Sequence, residues 1–294
     1  RPGAAVPVAP GGGRPGPMHV RIGRAVVAVG PGLSVVAMLW VRRRAPEGSY
    51  FTDGGRASGV SGVLATGFSV LLGFIVFLSF TTYDASRSGA EDEAVIVGQQ
   101  FETAQFFPEA LATELSGELV CYGRSVVGEE WDQLEAGTLG DQLNPWGTVL
   151  FETMRGVQPA SDAEQSAYDR WLDQTNAREV ARNDRVHAVS GVIPSPLWIV
   201  LLFVSGVIFL YMLFFADSGE GAATQAVLMG SVVSVITTLL LLLVFFNQPF
   251  QDDLGGLRPE SMERSLVIIA EAADATGIAI APPCDERGVA LGDG

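Results

Sequence analysis

The chain has 294 residues, 48% of them hydrophobic and only 17% charged, and its mean hydropathy is positive. That balance excludes an ordinary soluble globular domain and points to membrane segments. The net charge of −15, from 33 acids against 18 basic residues that are all Arg, argues against nucleic acid as a partner.

Residues 1–20 open Pro/Gly-rich, as RPGAAVPVAPGGGRPGP, without hydrophobic periodicity, and are expected to be a disordered tail. Met18 begins MHVRIGR and reads as a natural start. Ala25 to Val41 is the first candidate span, short and with Pro31 between two glycines: a kinked span, or a marginal helix that borrows flanking residues. Arg42, Arg43 and Arg44 close it, and the absence of a fitting small-residue cleavage site makes it a retained helix rather than a signal peptide.

Val60 to Thr82 is the second span, and it runs without Pro or a tight-turn pair into the acidic stretch YDASRSGAEDEA. One helix crossing the interface is expected, with Tyr83 at the headgroup level and Arg87 paired to Asp84 or Glu91. Phe74, Phe77, Thr81 and Asp84 share a face of that helix. Phe at this spacing either packs on neighbouring helices and lipid or, around a symmetry axis, forms an apolar gate with Asp84 at its aqueous mouth. Gly67 and Gly73 are candidate points of close helix approach.

Residues 83–195 carry twenty acids against seven Arg, a net charge of −13. Breaks are expected at Phe107-Pro108, Asn144-Pro145 and Gln158-Pro159, with helical apolar spacing between them, as in Leu111, Leu115, Leu119 and Tyr122. Ser161 and Glu164 form a capping-box pattern that opens a helix from Asp162 toward Val189. Arg178, Arg182 and Arg185 fall near one face of it, where they bind lipid phosphates or pair with the nearby acids.

Pro196 to Ala216 and Ala222 to Phe246 are the third and fourth spans, joined by five residues and therefore an antiparallel hairpin. All four spans lack a charged side chain, which leaves an intramembrane proton relay without support. Pro249 and Gly255-Gly256 break the chain before an amphipathic helix from about Glu260 to Ala273, with Met262, Leu266, Ile269 and Ala273 on one face. It packs on the aqueous domain or lies on the membrane surface. Residues 278–294 read as a frayed tail. Cys121 and Cys284 fall on one side of the membrane; a bond between them needs an oxidising compartment, and two inert thiols is the simpler expectation.

The expected fold is thus all-α: a polytopic membrane protein with four transmembrane helices and a helical aqueous domain between spans 2 and 3. Its organisation is a tail over 1–20, a hairpin over 21–82, the acidic domain over 83–195, a second hairpin over 196–246, and a helix with a disordered tail over 247–294. Orientation stays open: Arg42, Arg43, Arg44 and Arg56 draw the first loop into the cytoplasm, whereas Arg21, Arg24, Arg178, Arg182 and Arg185 flank spans on the other side. His19 and His187 lack metal-ligand spacing, and no HEXXH, P-loop, GXSXG or CXXC pattern occurs, so neither an enzyme, a cofactor nor a metal site is expected.

The order of features resembles a bacterial membrane family labelled bestrophin-like. Carrying the resemblance are GFSVLLGFIVF, YDASR, EDEA, IPSPLW and NQPF, with Gly73, Phe74, Tyr83, Asp84, Arg87, Glu93, Pro249 and Phe250 as its most specific residues. The family's own function is unestablished. Bestrophins proper are pentameric ion channels with four spans per subunit, cytoplasmic termini and a second span that lines an apolar neck. By that resemblance Phe74, Phe77 and Phe80 are neck candidates, the partners are the bilayer, other copies of the chain and inorganic ions, and the location is a bacterial inner membrane. The acidic domain favours cations over anions. The competing reading is a non-conducting sensor or partner-binding protein that acts through its aqueous domain.

Overall fold

The computed structural model describes residues 17–139, 144–251 and 256–291. The tail expected over 1–20 lies outside the described residues as far as residue 16; from Pro17 onward the chain is helical. Gly255 of the expected Gly-Gly break and the last three residues also lie outside them. Among the described residues the regular structure is helical, apart from one β-bridge between Cys284 and Ala290. Nine α-helices run in order there: α1 (Pro17–Arg42), α2 (Gly54–Ala104), α3 (Glu109–Ser125), α4 (Trp131–Glu135), α5 (Pro145–Arg155), α6 (Asp162–His187), α7 (Ser195–Phe214), α8 (Ala222–Asn247) and α9 (Glu260–Thr276).

Two compact units divide the chain. The first comprises the residues up to Gly73 and Pro196–Leu242. Its helices are apolar on all sides because their solvent is lipid: Ile199, Phe203 and Val227 are each about 70% exposed. Among the described residues α2, α7 and α8 are long and apolar enough to cross a bilayer, and α1 contributes a shorter apolar stretch, Gly32–Arg42. The loop after α1 is tied to the short loop between α7 and α8. Arg42 donates to the carbonyls of Ser218 and Glu220, the Gly48 N–H to Asp217 Oδ1 at 3.0 Å, and the Tyr50 N–H to the Phe214 carbonyl at 3.2 Å. Phe51 packs among the rings of Tyr211, Phe214 and Phe215.

The second unit comprises Phe74–Ser195 and the residues from Leu243 onward. Its helices start where the side chains supply caps. Asn144 Oδ1 accepts from the N–H groups of Trp146 and Gly147, with Pro145 in the first turn of α5. Ser161 Oγ accepts from the Glu164 N–H at the start of α6, and Glu164 reaches back to the Ala160 N–H. The core is built from Val97 and Phe101 of α2, Leu115, Leu119 and Tyr122 of α3, Leu150 of α5, Trp171 of α6 and Ile269 of α9. A fully buried leucine such as Leu115 or Leu119 stabilises by roughly 1.5–3 kcal/mol relative to exposure.

α9 packs on this unit: Ser265 Oγ donates to the Ala94 carbonyl at 2.7 Å, and Met262, Ile269 and Ala273 are buried. A Cβ at Gly123 of α3 would stand 2.8 Å from Leu266, so the missing side chain is what admits α9.

Two expectations need correction. Cys121 and Cys284 are joined by a disulfide rather than left as inert thiols. Residues 278–291 are docked rather than frayed: Ile278 and Ile280 pack on the core, and Trp146 Nε1 donates to the Gly288 carbonyl at 2.6 Å. Arg124 reaches the carbonyls of Cys284 and Asp285. Gly288 has φ +79° and presses its backbone on Ser125, a position only glycine fills without strain. Position at the chain end suggested a tail, and the docking contacts are made largely through backbone, against glycines (Gly117 and Gly128) that leave no mark on hydropathy.

Candidate functional site

α2 presents two faces within the second unit. Toward the protein it turns Ser86, Gly89, Glu93, Val97 and Gln100. Ser86 Oγ donates to the Asp184 carbonyl at 3.1 Å, and a Cβ at Gly89 would lie 2.6 Å from the Ala181 carbonyl oxygen. The backbones of α2 and α6 therefore meet at Gly89, which sets Glu93 one turn on beside Arg185.

Around Glu93 lies a buried network. Arg185 donates to Glu93 Oε2 at 2.5 Å and to Glu130 Oε2 at 2.6 Å; Arg182 donates to Glu130 Oε1 at 2.8 Å. Tyr122 donates its hydroxyl to Glu93 Oε1 at 2.6 Å, and Arg178 covers the Tyr122 ring while donating to Gln100 Oε1 at 2.8 Å. Burial alone would push Glu130 up, but Arg185 and Arg182 override it and hold its carboxyl below the usual range. Burial pushes the Tyr122 hydroxyl well up, and the Glu93 charge adds to that. Glu130 closes a single π-helical turn, Val126–Glu130, inserted between α3 and α4. Of the two readings of Arg178, Arg182 and Arg185, pairing within the protein is what the structure displays.

The outward face carries Phe74 and Phe77, 66% and 61% exposed, followed by Thr81 and Asp84, also exposed. Phe80 is exposed as well, at 44%, and its ring meets Phe246 edge-on at 5.5 Å, while Tyr83 rests against Phe245 and Phe246. Arg87 is exposed and pairs with Glu91 at 3.0 Å. A Cβ at Gly67 or Gly73 would meet nothing within 4 Å, so neither is a point of close approach inside the chain. Phe250, after Pro249, packs edge-on against Trp131 at 5.6 Å. The motif residues thus split into an exposed set (Phe74, Asp84, Arg87) and a packed set (Tyr83, Glu93, Phe250).

Sequence reasoning missed the role of Glu93 and missed Glu130, Tyr122 and Gln100 as members of the network. The available signal was the 4-then-3 spacing of Arg178, Arg182 and Arg185, which sets all three near one face of α6. Among the described residues no three His, Cys, Asp or Glu side chains are grouped to hold a metal ion.

One further carboxyl stands out. Glu118 of α3 is buried, accepts from Thr153 Oγ1 of α5 at 2.8 Å, and has a second oxygen without a hydrogen-bond partner. Burial raises it from about 4.5 to about 7, and Glu114 adds to the rise. Because the folded-state value is raised, this group's contribution is fully present below the unfolded value and is lost as pH rises through about 7. Glu118→Gln should therefore gain melting temperature over the wild type between pH 5 and pH 8, measured by thermal unfolding at both. An unchanged difference would mean that Glu118 is ionised and solvated throughout.

Residues 29–255 match a family model described as the Bestrophin-like domain. Two solved structures share the fold. One is a crystal structure of a bacterial bestrophin homologue from Klebsiella pneumoniae, carrying a point mutation, with a TM-score of 0.57 and 12% identity, covering 86% of this chain and 99% of that one. The other is a crystal structure described only as of a membrane protein, with a TM-score of 0.59 and 12% identity, covering 86% and 98%. No curated protein matches the sequence.

Proposed function

The chain belongs to the Bestrophin-like family, and from that premise we propose that it forms an oligomeric ion channel in which α2 lines the pore. The observation that carries this reading is the outward face of α2. Phe74 and Phe77 are large, apolar and uncovered, and they lead directly to Thr81 and Asp84 at the aqueous end. Around a symmetry axis such a face makes an apolar constriction with an acidic mouth, which gates by excluding water. By resemblance to the bestrophins the ring has five copies and sits in a bacterial inner membrane. Phe80, turned onto Phe246, supports the ring wall rather than the constriction.

Charge sets the expected ion. The twenty acids and seven Arg of residues 83–195 concentrate cations over a screening length of roughly 8 Å at physiological salt. By the same resemblance we read this chain as a channel rather than an enzyme. A non-conducting sensor would use the same Glu93 network to pass events in the aqueous domain to α2, and only conductance separates the two.

The test is flux through purified protein in liposomes, after native mass spectrometry has given the number of copies. Cation-selective flux that rises several-fold in Phe77→Ala, with assembly intact, is the expected result. A monomer, or unchanged flux in an intact ring, would remove Phe77 from the gate.

A further inference from the structure

We infer that the aqueous domain lies on the oxidising, extracytoplasmic side of the membrane and that the Arg42–Arg56 segment faces the cytoplasm. Three observations converge on this orientation, and none of them involves the pore.

The first is the disulfide. Cys121 and Cys284 are both buried in the core of the second unit and bonded to each other. Structural disulfides persist in oxidising compartments and are rare where thioredoxin and glutathione keep thiols reduced. The second is the placement of Arg in the short loops. The loop after α1 is bonded to the loop between α7 and α8, so both emerge at one membrane face. Arg42, Arg43, Arg44 and Arg56 cluster there, and short loops rich in Arg are retained in the cytoplasm. They outnumber Arg21 and Arg24, which precede the apolar part of α1. α2 carries a stretch long and apolar enough to cross a bilayer, so a chain that crosses there leaves the loop before Gly54 and the segment after Asp84 on opposite sides of the membrane.

The third observation removes the opposing vote. By position in the sequence Arg178, Arg182 and Arg185 flank the third span as topology signals. They are buried, and Arg182 and Arg185 are committed to Glu93 and Glu130. They also belong to a folded segment of more than about 60 residues, a length whose charge has little influence on insertion. The resulting orientation is opposite to the one that cytoplasmic termini would give. It also places the acidic mouth at Asp84 toward the outside.

The test uses the full chain with its native cysteine pair retained and a third cysteine added at an exposed position. Ala177→Cys marks the aqueous domain on α6, and Thr52→Cys marks the loop before α2. Spheroplasts of an expressing bacterium are treated with a membrane-impermeant maleimide before and after lysis. Labelling of Ala177→Cys before lysis, and of Thr52→Cys only after it, is the expected result. The reverse pattern, or labelling of both before lysis, overturns the inference. Thiol trapping of the unmodified protein in whole cells provides a second readout independent of the variants: no free thiol is expected, and two free thiols would place the domain in the cytoplasm. Either result leaves the conductance question untouched.

Discussion

Arg185→Ala is expected to lower the stability of the aqueous domain by about 3–5 kcal/mol, the cost of leaving buried carboxylates without their counter-charge. Arg185 is fully buried and serves Glu93 and Glu130 at once. Its removal strands both acids, with Arg182 as the remaining partner of Glu130 and the Tyr122 hydroxyl as that of Glu93. The electrostatic origin can be separated from lost packing. A double variant, Arg185→Met with Glu93→Leu, should recover much of the loss, because it removes one acid together with its counter-charge and leaves Glu130 paired with Arg182. Thermal unfolding in detergent, followed by Trp131 fluorescence 6.0 Å from the guanidinium, reports both. A loss below about 1 kcal/mol, in the range of exposed pairs, would mean that water reaches the network. The acid side gives a sign: Glu130 is held below its usual value, so its contribution is present above about pH 4.5 and is lost as pH falls.

Breaking the disulfide should have an effect of similar size by a different route. The bond joins residues 163 apart, and closing a loop of that length stabilises by up to about 5 kcal/mol through the entropy of the unfolded chain. Inserted spans between the two cysteines already restrict that chain, so about 3–4 kcal/mol is the expectation for Cys121→Ser with Cys284→Ser. The loss should be felt first at residues 278–291. Arg287, bonded to Asp132, is an exposed trypsin site that docking protects. Faster cleavage after Arg287 in the double variant than in the wild type is the result to look for. Equal cleavage rates would show that Trp146, Arg124 and the glycine contacts hold the segment without the bond.

Much of this architecture was legible from local pattern. Uninterrupted apolar windows located the long helices, and Asn144-Pro145 and Ser161 with Glu164 marked helix starts, because capping is a local interaction between neighbours. The apolar face of α9 was legible for the same reason. What stayed hidden was long-range. No spacing rule pairs Cys121 with Cys284, and nothing in the order of Arg178, Arg182 and Arg185 names Glu93 and Glu130 as partners on other elements. The extra residue in the turn Val126–Glu130 has no sequence signature, yet it aims Glu130 at both Arg side chains. On α2 the exposed Phe74 and Phe77 were visible as a stripe, while the contact of Phe80 with Phe246 depended on where α8 ends.

The docking of Cys284 on Cys121 also imposes a timetable on biogenesis. Cys284 comes after both α7 and α8 along the chain, so it is translated only after the last two membrane helices. At roughly 5–20 residues per second, Cys121 waits on the order of ten to thirty seconds for its partner. Helices α2 to α6 can meet during that wait, but the lock stays open. A chain that stalls before α8 carries a lone unpaired thiol, and a closed bond marks a chain whose synthesis has passed its last membrane helix.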